Sequence, residues 1–159
     1  MSKPLQHTPA DITRWALIAL GLGVEPTQSN YQGNDWPVSA HGMPPSPDNA
    51  IAVYVTTPQL DGRSLCPDQG MATHWAFQIA VRGANDFGFA FPKAEAIRVT
   101  LNEKVNGMSL TVSKPASLPA TTYIIPCFSG LSLVPVGRES PDSKRFIYTI
   151  NGYLVVRAL

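Results

Sequence analysis

Charged side chains are scarce in this sequence. Asp, Glu, Lys and Arg make up 14% of its 159 residues, against about 25% in an average soluble domain. A surface with so few charges has little to keep copies of itself apart, which favours a protein that works inside an assembly. No run of Lys or Arg occurs, and the formal net charge is +1. Gripping nucleic acid through its phosphates takes a clustered basic footprint. Tight direct DNA binding is therefore disfavoured, although a near-neutral protein is free to surround DNA.

Cysteine is nearly absent. Cys66 and Cys127 lie in Ser64-Leu65-Cys66-Pro67 and Ile125-Pro126-Cys127-Phe128, with no metal-ligand spacing. Two free thiols in a reducing compartment are the simpler reading, and a single disulfide stays open. Long apolar runs are missing too. The most apolar stretch, Ile12 to Leu22, contains Arg14 and is too short to span a bilayer. Met1-Ser2-Lys3-Pro4 has no signal-peptide core. The expectation is a cytoplasmic product with no membrane anchor.

Catalytic patterns are also lacking. There is no Gly-x-Ser-x-Gly, no phosphate-cradling glycine loop with Lys and no His-Glu-x-x-His. Gly21-Leu22-Gly23 follows a predicted helix, whereas a nucleotide-binding glycine turn follows a strand. Gly83-Ala84-Asn85-Asp86 lacks the further glycines and reads as a plain turn. His74, near Asp61, Arg63 and Asp68, is the one polar cluster with proton-transfer chemistry, and exposed loop residues explain it more simply. The residues thus show neither a catalytic motif nor a metal-ligand spacing.

What the sequence does hold is a core. Hydrophobic residues reach 44%, enough to fold one domain of this length. Thr8-Pro9-Ala10-Asp11 has a capping hydroxyl, a proline suited to the first helical position and an acid at the positive end of the dipole. Ile12, Trp15, Ala16, Ala19 and Leu20 recur at helical spacing, so a helix is predicted from Thr8 to Leu20, stopped by Gly21 and Gly23. Residues 24–49, broken by Pro26, Pro37, Pro44, Pro45 and Pro47, read as a long ordered loop.

Ile51 to Thr57 alternates as a strand, with Ile51, Val53 and Val55 on one face. Pro58 to Gly70 reads as a polar loop. Met71 to Arg82 is the next strand, with Trp75, Phe77, Ile79 and Val81 facing one way. A second helix is expected from Ala90 to Glu103, its stripe formed by Ala94, Ile97, Leu101 and Val105. Pro92 then falls in the first turn, and Asn106-Gly107 ends the helix.

Leu110-Thr111-Val112 is a short strand. Ser129-Gly130 reads as a hairpin turn between strands Thr121–Phe128 and Leu131–Val136. Gly137 to Lys144 is a charged loop, and Arg145 to Ala158 a long final strand. Phe146, Tyr148, Ile150, Leu154 and Val156 share one face of it. Its second face, with Ile147, Tyr153 and Val155, is apolar enough to be covered by the first helix or by a neighbouring subunit.

The order predicts one α+β domain over residues 1–159, an antiparallel or mixed sheet with two helices packed on one face. There is no internal repeat and no second domain boundary. The densest charge cluster is Arg138, Glu139, Asp142, Lys144 and Arg145. It reads either as a solvated loop or as a subunit contact where mixed charges set register. Arg63, Arg82 and Tyr153 complete the set of candidate contacts.

Three segments carry a resemblance. They are Pro44-Pro45-Ser46-Pro47-Asp48-Asn49-Ala50-Ile51-Ala52-Val53-Tyr54; Phe77-Gln78-Ile79-Ala80-Val81-Arg82-Gly83 with the Ala-rich helix after it; and Val136 through Phe146 leading into Ile150-Asn151-Gly152-Tyr153-Leu154-Val155-Val156. In that order they resemble the tail terminator family of long-tailed bacteriophages, from about Pro44 to the C-terminus. Phe77-Gln78-Ile79-Ala80 and Phe89-Ala90-Phe91-Pro92 depart from the family pattern.

The resemblance implies a structural virion protein at the tail neck, with no cofactor. Such proteins form a hexameric ring that caps the tail tube, ends its polymerisation and docks to the head-tail connector. DNA passes through the centre without sequence-specific binding. A different connector or tail-tube subunit is the rival within the same particle, and a small α+β enzyme centred on His74 the rival outside it.

Overall fold

The computed structural model describes residues 4–26, 31, 35–60, 73–84, 87–105, 110–113 and 122–158. Thr8 caps the first helix as its sequence dictates. Its Oγ1 accepts from the Asp11 N–H at 3.1 Å and donates to the Asp11 carboxylate at 2.8 Å. Helix α1 runs Pro9–Ala19, with Leu20 as C-cap. Ile12, Trp15, Ala16 and Leu17 point into the core. Thr13 is also buried, and it donates its hydroxyl to the Pro9 carbonyl at 2.7 Å, so no polar atom is stranded there.

The described parts of residues 24–49 are more regular than a loop. Val24 bridges Pro37, and a two-residue strand, β1 (Val38–Ser39), runs parallel to β2 (Ala50–Leu60). Pro37 directly precedes β1, and its carbonyl still accepts from the Ile51 N–H at 2.9 Å. Strand β2 also continues three residues past Thr57, through Pro58, which sits at a register shift where a missing N–H does no harm. Residues 61–70, expected as loop, lie outside the described residues.

Strand β3 (Thr73–Gly83) leads into helix α2 (Phe87–Thr100) and a π-helical turn, Leu101–Val105. The helix starts three residues earlier than its stripe suggests, so Pro92 falls in the second turn, not the first. There it removes one ladder hydrogen bond. Gly83 makes the tight connection possible. A Cβ on it would meet the Ala90 nitrogen at 2.9 Å, so the start of α2 lies directly on the end of β3. Ala90, Ala94, Ile97 and Leu101 form the buried stripe.

Strands β4 (Leu110–Ser113), β5 (Thr122–Arg138) and β6 (Phe146–Ala158) complete the chain. The expected hairpin at Ser129-Gly130 is absent. β5 is one strand of 17 residues, paired with β6 almost throughout. Gly130 has a left-handed φ of +62°, the conformation a turn would need, but here it serves a bulge. Ser129 pairs Tyr153 and Ser132 pairs Asn151, so Gly130 and Leu131 oppose Gly152 alone. Two further irregularities follow the same strand, between Ile124 and Cys127 and between Pro135 and Gly137. The charged loop is correspondingly shorter than Gly137 to Lys144, and β6 starts at Phe146.

The fold is α+β. The sheet order is β1-β2-β3-β6-β5-β4, with every pair antiparallel except β1 with β2. Helix α2 packs on β3, β6 and β5, while α1 touches β1, β2 and β4. β2 and β4 lie near opposite ends of the sheet, so the sheet curls around both helices. A single buried cluster joins Trp15, Ile51, Phe77, Ile97, Phe128, Ile150 and Leu154. Each fully buried Ile or Leu contributes roughly 1.5–3 kcal/mol relative to exposure. Because α1 belongs to this inner cluster, it does not cover the second face of β6.

Candidate functional site

Two features involve the residues singled out in the sequence as candidate contacts, and a third was not anticipated. The first is a charge network at one end of the sheet. Arg82, on β3, is only 1% exposed. Its guanidinium donates to the carbonyls of Asp48 (3.1 Å) and Pro47 (2.6 Å) and pairs with Glu139 at 3.0 Å. Glu139 also takes Arg145 at 3.3 Å, and Arg145 reaches the Asp48 carboxylate at 2.7 Å. Burial pulls the Arg145 guanidinium down, but its hydrogen bonds to Asp48 and Glu139 outweigh this, and its pKa is raised. Two arginines and two carboxylates thus fasten the segment before β2 to the β5–β6 turn. Asn49 adds to this by accepting from the Ala84 N–H at 2.9 Å.

The structure therefore divides the predicted contact residues. Arg82, Glu139 and Arg145 come together and are engaged within the chain. Arg138, Asp142 and Lys144 are exposed on the same turn. Arg63 lies outside the described residues, as do Asp61 and Asp68, the proposed neighbours of His74. Asp48 belongs to the network although nothing in its local sequence marks it as more than a turn residue.

The second feature is the outer face of the sheet. Tyr54, Gln78, Asn151 and Ser132 form one row across four strands. Gln78 Nε2 donates to Asn151 Oδ1 at 3.0 Å. Tyr153, 42% exposed, stands one row along. The bulge at Gly130 brings backbone against it: a Cβ on Gly130 would lie 3.6 Å from the Tyr153 ring. Between Tyr54 and Tyr153 runs a groove of about 430 Å³, floored by Ala76, Gly152 and the two amides. None of its lining residues is charged. Val134 and Val136 continue the exposed apolar surface along β5.

The third feature lies on the helix side. Phe89 and Phe91, at the start of α2, are 46% and 45% exposed. Phe89 stacks on Trp36, centroids 6.0 Å apart, and Phe91 meets Tyr148 edge-on at 5.6 Å. Lys93 Nζ sits 5.6 Å from the Trp36 ring centroid, and burial holds its pKa below the usual lysine value. In the sequence Phe89-Ala90-Phe91-Pro92 stood out only as unusual. The missing signal was the true start of the helix, which places both rings on its first turns.

Among the described residues no group of three His, Cys, Asp or Glu is placed to hold a metal ion. His7 Nδ1 lies 2.6 Å from the Tyr123 hydroxyl and its ring packs edge-on against Trp15. His41 is 3.5 Å from Asp11. No described helix is long and apolar enough to cross a membrane.

No family model matches the chain, and no curated protein matches it either. Among solved structures, the chain is similar to a protein with a TM-score of 0.38 at 16% identity, over 77% of this chain and 79% of that one. A likeness of that size carries no argument about what the protein does.

Proposed function

We propose that the chain is a structural subunit of a bacteriophage tail: a tail terminator that forms a hexameric ring, caps the tail tube and joins it to the head-tail connector. The observation that carries this reading is the uncharged, half-apolar outer sheet face around Tyr54 and Tyr153. An open sheet face without charge suits burial against another subunit better than lasting contact with water. Arg138, Asp142 and Lys144 rim one end of the molecule, where mixed charges set register between subunits. On this reading the protein resides at the virion neck, and DNA passes through the ring without base-specific contact.

Native mass spectrometry with negative-stain imaging tests the proposal, together with binding to purified tail-tube ends. A six-fold ring that binds the ends is expected. A chain that stays monomeric at every concentration and ignores the ends would defeat it. Deleting the gene separates the rival readings: overlong tails follow loss of a terminator, and absent tails follow loss of a tube protein.

A further inference from the structure

The groove on the outer sheet face combines aromatic walls with a polar row. Tyr54 on β2 and Tyr153 on β6 flank it, 37% and 42% exposed. Strand β3 lies between those two, which sets them about 10 Å apart. The small side chain of Ala76, on β3 opposite Tyr153, keeps the space between them open. At one side runs a directed chain of hydrogen bonds. Asn151 Nδ2 donates to Thr149 Oγ1 at 3.4 Å, and Gln78 Nε2 donates to Asn151 Oδ1 at 3.0 Å. The chain leaves Gln78 Oε1 as an acceptor that no described residue engages. The Ser132 hydroxyl, exposed in the same row, is likewise unengaged among the described residues.

What the groove can hold follows from what its lining offers. A phosphate or carboxylate would meet no cation there, and an ammonium no carboxylate. An alkyl chain would strip water from Gln78 Oε1 and Ser132 and replace none of its hydrogen bonds. A peptide backbone needs a ladder of donors and acceptors, which the edge of a sheet presents and its face does not. A ring with hydroxyls at its rim and C–H bonds on its faces suits both the tyrosines and the polar row.

We infer that this groove binds a neutral carbohydrate, with a sugar ring between Tyr54 and Tyr153 and its hydroxyls bonded to Gln78 and Ser132. The negative face of a tyrosine ring attracts the weakly positive C–H bonds of the sugar. Gln78 Oε1 accepts from one hydroxyl, and Ser132 exchanges a hydrogen bond with another. At about 430 Å³ the groove lies in the size range of small-molecule sites. Gly130 keeps its rim clear, since a Cβ there would already stand 3.6 Å from the Tyr153 ring. The inference goes beyond the assembly reading and does not depend on it. Val134 and Val136, farther along β5, remain for a neighbouring subunit.

Saturation-transfer NMR on the full-length protein tests this, with maltotriose and chitotriose as probes and thymidine monophosphate as a charged control. Transfer to at least one trisaccharide, and none to the nucleotide, is expected. Tyr54→Ala and Tyr153→Ala should each weaken binding about tenfold, and Gln78→Leu about fivefold. Tyr153→Phe keeps the ring and should bind like the parent. Circular dichroism checks that each variant is folded, and Gln78→Leu, at an exposed position, carries the test if a tyrosine variant is not. Silence from both trisaccharides would overturn the inference. So would binding that survives these substitutions, or a nucleotide that binds as well as the sugars. The ring reading is untouched by any of these results, because it stands on the assembly state.

Discussion

The Glu139 carboxylate meets the buried Arg82 guanidinium at 3.0 Å across 57 residues of chain. Glu139 is itself partly exposed and shared with Arg145. The pair therefore joins a fully buried charge to a wet one. Burying a guanidinium is costly unless each of its faces finds an acceptor, and the Pro47 and Asp48 carbonyls complete that set.

Removing the buried arginine should be worse than removing the exposed one. Arg82→Met leaves the Pro47 and Asp48 carbonyls without their donor, and should cost about 1–3 kcal/mol. Arg145→Ala, at the partly exposed end of the network, should cost under about 1 kcal/mol. Urea unfolding of both variants measures the difference. Equal losses would show that Arg82 is not the clamp.

Gly152 should not tolerate a methyl group. A Cβ there would meet the Ser129 carbonyl oxygen at 2.8 Å and Leu131 at 2.9 Å. The first of these is backbone held by the bulge, so it cannot swing aside. Gly152→Ala should destabilise by about 1–3 kcal/mol, read as a lowered thermal midpoint. An unchanged midpoint would mean that the bulge relaxes freely.

Core and surface positions on neighbouring strands should separate cleanly. Ile150 is fully buried, and Ile150→Ala should cost about 2–5 kcal/mol. Val136 is 59% exposed, and Val136→Ala should stay within about 0.5 kcal/mol. Denaturation of the two single variants tests this.

Lys93 should make stability depend on pH at the alkaline end. Burial holds its pKa in the folded chain below 10.5, so the unfolded chain binds that proton more tightly. Below the folded value the whole cost is present, and it fades as pH rises from that value toward 10.5. Lys93→Met should therefore be more stable than the parent at neutral pH, with the gap closing in that window. A gap that is constant with pH would exclude titration of Lys93 as its cause.

Local signals were legible in the sequence where local chemistry decides. Thr8, Pro9 and Asp11 announced α1, and the spacing of Ala94, Ile97 and Leu101 fixed the buried face of α2. Alternation sorted β3 and β6 into inner and outer sides correctly. What failed depended on distant partners. Ser129-Gly130 supplies the same left-handed residue to a hairpin turn and to a bulge, and only continuous pairing with β6 selects the bulge. Arg82 sat on the polar side of its strand, yet Pro47, Asp48 and Glu139 close over it from other parts of the chain. The Tyr153 face was visible as apolar, but Tyr54 became its opposite wall only through the sheet order.

Helix α1 has a consequence for how the protein is made. It leaves the ribosome before any strand it packs on, and its contacts include β4, about a hundred residues later in the chain. Just ahead of the helix, His7 awaits Tyr123, 116 residues away. Until both arrive, Ile12, Trp15 and Leu17 have only part of their cover. Such long-range closure slows folding and leaves apolar surface open during synthesis. The amino-terminal helix thus keeps an apolar face uncovered through most of synthesis.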